Sequence, residues 1–225
     1  MSCRRALFAG FIALMCSSAA VALASVSQHR SEGRLQQQGI VAEAATDPLN
    51  ELQRTVLAIK ALVRRRVPDW SPEADAVKWR VDSILAGVVD YQQIGRSALG
   101  TDWDQLTNPQ HGAFLRAFSA LTNQAFVSGL TRSDVHLRFV SETVMGAKAS
   151  VMVTADVSRS TEAAEQQIEY RLVRKQGRWL IYDVLVDGVG LVDGYHAEFG
   201  RLIRSEGPAE LIDRMQRKLE VSGRY

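Results

Sequence analysis

The chain has almost no cysteine. Its only two, Cys3 and Cys16, fall within the first 24 of 225 residues. That stretch opens with Arg4-Arg5, continues as an apolar run from Ala6 to Met15, and closes on small residues, with Ala22-Leu23-Ala24 fitting an A-x-A processing site before Ser25. Residues 1–24 therefore have the layout of a secretory signal peptide. The apolar run falls short of the roughly 20 residues that a membrane-spanning helix needs, and Ala13-Leu14-Met15 before Cys16 lacks the pattern of a lipoprotein site. A chain cut after residue 24 carries no thiol. That excludes disulfides, iron–sulfur clusters, Cys-ligated zinc and cysteine nucleophiles. The 201 residues that follow must hold their fold by the core alone, and that length suffices for one domain with a large core.

Excess charge of either sign is also missing. The chain has 27 basic and 25 acidic residues, and loss of Arg4 and Arg5 leaves 25 of each. A nucleic-acid binder normally shows a marked basic excess, so no nucleic-acid partner is expected. The one basic cluster, Arg64-Arg65-Arg66, reads either as a solvated helix end favoured by the helix dipole or as a contact for lipid headgroups. Metal-ligand spacing is absent too. His29, His111, His136 and His196 are scattered, so no metal site is expected. There is no nucleophile elbow and no phosphate-binding loop. Gly188-Val189-Gly190 with Gly194 superficially resembles a dinucleotide fingerprint, but too little chain follows to build the parallel strands such a fold requires. No catalytic residues and no cofactor are expected.

What is present is amphipathic pattern. Residues 25–46 are polar and Ala-rich without periodicity and read as a flexible tether. Asp47-Pro48 then starts a helix with Leu49, Leu52, Val56, Ile59 and Val63 at helical spacing. Ser71-Pro72 restarts the pattern with Val77, Val81, Ile84 and Val88. A short helical piece from Tyr91 to Ala98 follows. Thr107 and Gln110 have capping-box spacing before a long helix carrying Phe114, Phe118, Leu121 and Ala125.

The period then changes to two. Val135, Leu137 and Phe139 alternate with polar residues, as do Val151 to Val157, and Ile168, Tyr170 and Leu172. A fourth strand runs from Trp179 to Val186, with Trp179 and Ile181 on one face and Leu180, Tyr182, Val184 and Val186 on the other. Asp187-Gly188 ends it, and two helices close the chain. Short connections favour an antiparallel meander, and helices, then strands, then helices indicate an α+β fold. The expectation is a curved four-stranded antiparallel sheet packed against several helices in a single domain over 47–222. Because the fourth strand is apolar on both faces, both should be covered, either by a filled two-sided core or by helices enclosing an apolar cavity. Asp183 beside Tyr182 admits two readings: a general base in a cone-shaped isomerase site, or a carboxylate engaged by a backbone amide or an arginine.

Three blocks of residues carry a resemblance. Trp179-Leu-Ile-Tyr182-Asp183-Val-Leu-Val-Asp187-Gly188-Val189-Gly190-Leu191 is similar to the Trp-x-x-Tyr-Asp-x-x-x-acid-Gly-Val-Ser segment of MlaC-like proteins, also called toluene-tolerance phospholipid-binding proteins. Asp90-Tyr91-x-x-Ile94-Gly95-Arg96-x-x-Leu99-Gly100-x-x-Trp103 resembles that family's aromatic–Ile–basic–Leu-Gly–Trp block. Thr107, Gln110, Phe114 and Phe118 match its next helix, and Tyr195 and Phe199 stand where it has Tyr and Phe. The likeness covers residues 48 to 220, with Gly190 where Ser is usual and His196 where Arg or Lys is common.

The resemblance implies a periplasmic carrier, soluble after signal cleavage, that holds phospholipid as cargo and performs no reaction on it. It implies exchange with an inner-membrane ABC transporter bearing a ring-forming lipid-transfer subunit and with an outer-membrane lipoprotein complex. Pattern and resemblance together nominate Phe114, Phe118, Leu121, Phe139, Val151, Val153, Leu172, Trp179, Ile181, Val184, Val189, Leu191 and Phe199 as cavity wall, and Arg96 as a phosphate contact. The isomerase reading and an envelope binding module with a filled core stand beside it.

Overall fold

The computed structural model describes residues 47–64, 71–131, 135–159 and 162–222. The expected leader and tether, and Arg65 and Arg66, lie outside the described residues. Local sequence signals set the helix starts. Asp47 caps helix α1 (Pro48–Val63), its carboxylate accepting the Leu49 N–H at 3.0 Å. Ser71 caps α2 (Pro72–Val88) by accepting the Ala74 N–H at 3.2 Å. Asp90 does the same for α3 (Tyr91–Leu99) through the Gln93 N–H at 3.0 Å. A 3₁₀ turn over Gly100–Gln105 leads to α4 (Asn108–Leu130), where Gln110 Oε1 accepts from both the N–H and the hydroxyl of Thr107 at 2.9 Å. Each of these bonds from a backbone N–H satisfies an orphan donor of a helix end, worth about 1 kcal/mol.

The sheet follows as β1 (Val135–Met145), β2 (Lys148–Arg159), β3 (Glu162–Lys175), β4 (Arg178–Val186) and β5 (Val189–Gly190), and α5 (Leu191–Glu206) and α6 (Pro208–Ser222) end the chain. Strand order is sequential and every pairing is antiparallel. The meander expected from the alternation is there, with five strands rather than four. Asp187 and Gly188 do not simply end β4. Both take positive φ (51° and 80°), and the two-residue turn folds Val189 and Gly190 back onto Val186 and Leu185. Residues that tolerate the left-handed region are what such tight hairpins need. Gln176 and Gly177 (φ 50° and 78°) make the same turn between β3 and β4.

Two bulges shape the sheet. Val140 is an extra residue between the Phe139–Val153 and Ser141–Met152 pairs, and Tyr182 between Leu172–Ile181 and Arg171–Asp183. A bulge bends its strand and reverses the facing of everything beyond it. Strict alternation would send Ile181 and Val184 to opposite faces. Because Tyr182 is extra, Val184 and Val186 instead pair with Tyr170 and Ile168 and share their face with Ile181 and Trp179. Beyond the reach of β5, the exposed edge of β4 is closed by the chain leaving α2: Val89 bridges Ile181, the Asp90 N–H donates to the Ile181 carbonyl at 2.9 Å, and Lys175 Nζ sits 2.5 Å from Asp90 Oδ2. That cover removes an unpaired strand edge.

Candidate functional site

The inner face of the sheet is built from alternate residues of four strands and from both sides of the Tyr182 bulge. Ala149, Val151 and Val153 of β2, Tyr170 and Leu172 of β3, and Trp179 and Ile181 of β4 are buried there, with Leu137, Phe139, Ile168 and Val184 packed against them. Opposite lie Leu52, Val56, Ile59 and Val63 of α1, Val81 and Leu85 of α2, and Val127 and Leu130 of α4. Val153 is 1 % exposed and Ile181 7 %. The single titratable group among these buried side chains, the Tyr170 phenol, is pushed up to about 12 by burial. The buried part of this face is hydrocarbon-lined and chemically suited to aliphatic chains, while the register puts Glu142 opposite Val151 and Arg174 opposite Trp179 at its rim.

The outer face is different in kind. Arg138 pairs with Asp156 at 3.1 Å and Glu165 at 3.2 Å, Ser150 donates to Glu169 at 2.9 Å, and Arg171 lies 3.3 Å from Glu169 and 3.7 Å from Asp183. The expected cover on both faces is present at β4, where α5 adjoins, while β1 to β3 present ion pairs outward.

Asp183 is on this outer side, opposite Arg171 in the register. Its Oδ1 accepts the Val184 N–H at 2.9 Å and the Val192 N–H at 3.3 Å. Val192 is in the first turn of α5, so the carboxylate of a strand caps the helix that follows it. Burial raises the Asp183 pKa, while the Val192 and Val184 amides and Arg171 act against that rise. Of the two roles the sequence left open, the geometry assigns Asp183 to backbone amides and an arginine. Tyr182 is half-buried and lies under Lys148, whose Nζ is 5.9 Å from the ring centroid.

The thirteen wall candidates divide by place. Val151, Val153, Leu172, Trp179 and Ile181 meet in the inner-face cluster, and Phe139 and Val184 flank it. Phe114, Phe118 and Phe199 meet elsewhere, in an aromatic group with Tyr195 and Trp103 between α3, α4 and α5: Phe114 stacks on Phe118 at 5.5 Å and meets Phe199 edge-on at 5.8 Å. Leu121 and Leu191 are half-buried, and Val189 is 70 % exposed on β5. Arg96 is exposed, its guanidinium 5.8 Å from the Trp103 centroid. Of the helix residues that face the sheet, Val56, Ile59 and Val81 were visible as amphipathic stripes but carried no sign of which surface they would meet, and Val127 lay outside the stripe read for its helix. Among the described residues no cluster of three or more His, Asp or Glu is placed to hold a metal, and no helix is long and apolar enough to cross a membrane.

The model of the family described as MlaC protein matches residues 54–217. The intermembrane phospholipid transport system binding protein MlaC of Haemophilus influenzae is 22% identical over 139 residues, 60% of this chain and 65% of the relative, so the chain spans just under two thirds of that relative's length. The solved phospholipid-binding protein of Ralstonia solanacearum, determined in complex with a phospholipid, superposes with a TM-score of 0.60 at 16% identity, covering 76% of this chain and 96% of that one. At that identity the likeness is one of fold. With its family match running through α1 to α6 and across the whole sheet, the chain belongs to the MlaC protein family.

Proposed function

We propose that this chain is a phospholipid carrier that lodges acyl chains between the inner face of the sheet and helices α1, α2 and α4, and that it works in the periplasm without acting chemically on its cargo. The observation that carries this reading is the uninterrupted apolar lining of that face, from Phe139 through Val153 to Ile181. The family, a relative named for intermembrane phospholipid transport and a fold neighbour that was solved with phospholipid support it.

The energetics fit a shuttle. Each acyl methylene moved from water to an apolar surface gains about 0.8 kcal/mol, so two long chains gain on the order of 20 kcal/mol. A bilayer offers the same gain, so net transfer is decided by small differences and by docking to partners. The partners proposed are an inner-membrane ABC transporter with a ring-forming lipid-transfer subunit and an outer-membrane lipoprotein complex. The headgroup stays in solvent in this scheme, with Arg96 as a candidate phosphate contact.

Mass spectrometry of the full chain, purified gently and then denatured, tests the core of the proposal. Phospholipid should leave the protein in near-stoichiometric amount. Recovery of protein free of lipid, from preparations in which lipid was abundant, overturns it.

A further inference from the structure

Among the described residues, a row of hydrogen-bonded polar side chains runs from the surface of α2 inward to α4 and α3. The Tyr91 hydroxyl, on α3, donates to Asn123 Oδ1 on α4. Asn123 Nδ2 donates to Asp82 Oδ1 on α2 at 2.7 Å, and Asp82 Oδ2 lies 2.6 Å from Lys78 Nζ near the surface. Asn123 is 4 % exposed. Burial, and then the Asp82 carboxylate, push the Tyr91 hydroxyl's pKa up, so it stays a donor.

The row stands at a boundary. Helix α4 runs through two apolar groups: Phe114 and Phe118 belong to the aromatic group with Phe199, while Phe126, Val127 and Leu130 belong to the inner-face cluster. Asn123 sits between them in sequence. On α2, Asp82 lies between Val81 and Leu85 of the inner-face cluster, and on α3 Tyr91 packs against that cluster, with the buried Ile94 and Leu99 further along the helix.

We infer that the Tyr91–Asn123–Asp82 row is the floor of the lipid compartment and sets the length of acyl chain it accepts. The inference rests on the inner face being the lipid site. Its physical basis is that both polar atoms of the Asn123 amide are engaged and an aliphatic chain can replace neither bond. Methylenes advancing from the inner-face cluster toward the aromatic group would strip those bonds and leave buried donors and acceptors unpaired. The floor is hard because it is hydrogen-bonded, whereas the rest of the lining is soft hydrocarbon.

The test is competitive loading of the full chain from vesicles holding equal amounts of dimyristoyl and distearoyl phosphatidylglycerol, read as the ratio of the two lipids bound. N123A deletes the amide and opens space, and Y91F removes a single hydroxyl from a ring that stays in place. Each further methylene admitted is worth about fourfold in partition. The ratio of long to short lipid should therefore rise at least about fourfold in N123A and move the same way, by less, in Y91F. If N123A does not fold, Y91F decides alone. Variants that fold and load lipid with an unchanged ratio overturn the floor and leave the carrier reading standing. A wild-type chain that takes up neither lipid overturns both.

Discussion

Val153 offers the sharpest way to separate a lipid-holding face from an ordinary core. It lies on the middle strand pairing of the inner face, opposite Phe139 and Ile168, with 1 % of its surface exposed. Val153→Thr keeps the shape and adds one hydroxyl. The neighbours across both strands are hydrocarbon, so that hydroxyl has no side-chain partner, and stripping it of water costs about 1–3 kcal/mol. The cost must appear in one of two places. If acyl chains cover Val153, the loaded state bears it and phospholipid affinity falls roughly 5- to 150-fold. If protein alone covers it, folding bears it, and Tm drops by about 2–12 °C while loading is untouched. The expected result is the first, measured by displacement of a fluorescent phospholipid and by a thermal melt of delipidated protein. Ser150→Ala is the control. Ser150 is on the same strand but on the outer face, where its hydroxyl donates to Glu169 at 2.9 Å, and its loss should leave loading unchanged. A Val153→Thr protein with reduced Tm and wild-type affinity refutes the assignment of this face to lipid.

Ile181→Glu places a charge on the same face and should abolish loading in native mass spectrometry; a folded variant that loads fully removes Ile181 from the site. Asp183→Ala unties the first turn of α5 and should cost about 1–2 kcal/mol in a urea melt while lipid loading persists. Burial raises the Asp183 pKa above the ordinary carboxylate value of 3.8, so its protonated form is the one the fold favours. Its contribution to stability should be fullest in acid and fall as pH rises through that raised value, and D183N should flatten this part of the pH–stability curve. Gly100→Ala should destabilise by about 1–3 kcal/mol, because φ is +57° and the added Cβ would stand 2.6 Å from His196 Cε1. A calorimetric Tm equal to wild type would contradict that reading.

The helix starts at Asp47, Ser71 and Thr107 were legible because a cap is a bond between residues two or three apart, and the chain carries it wherever the helix goes. The alternating strands were legible for a similar reason, since period two survives without knowledge of the partner. Residues such as Val151, Val153, Leu172 and Ile181 could be nominated from that period together with the family resemblance, and the structure brings them together. The facing of Val184 was not legible. A bulge is defined only by the neighbouring strand, and Tyr182 becomes the extra residue only when Arg171 and Leu172 lie beside it. The two-residue β5 is too short to show any period. Likewise Phe114, Phe118 and Leu121 looked like one stripe along one helix, yet α4 meets α5 and the other aromatics at one end and the sheet at the other. Local hydrogen bonding and side-chain periodicity are written in the order of residues. Which surface each stripe covers, and where Asn123 divides one apolar interior from another, depends on residues 32 and 41 positions away and exists only once the helices have packed.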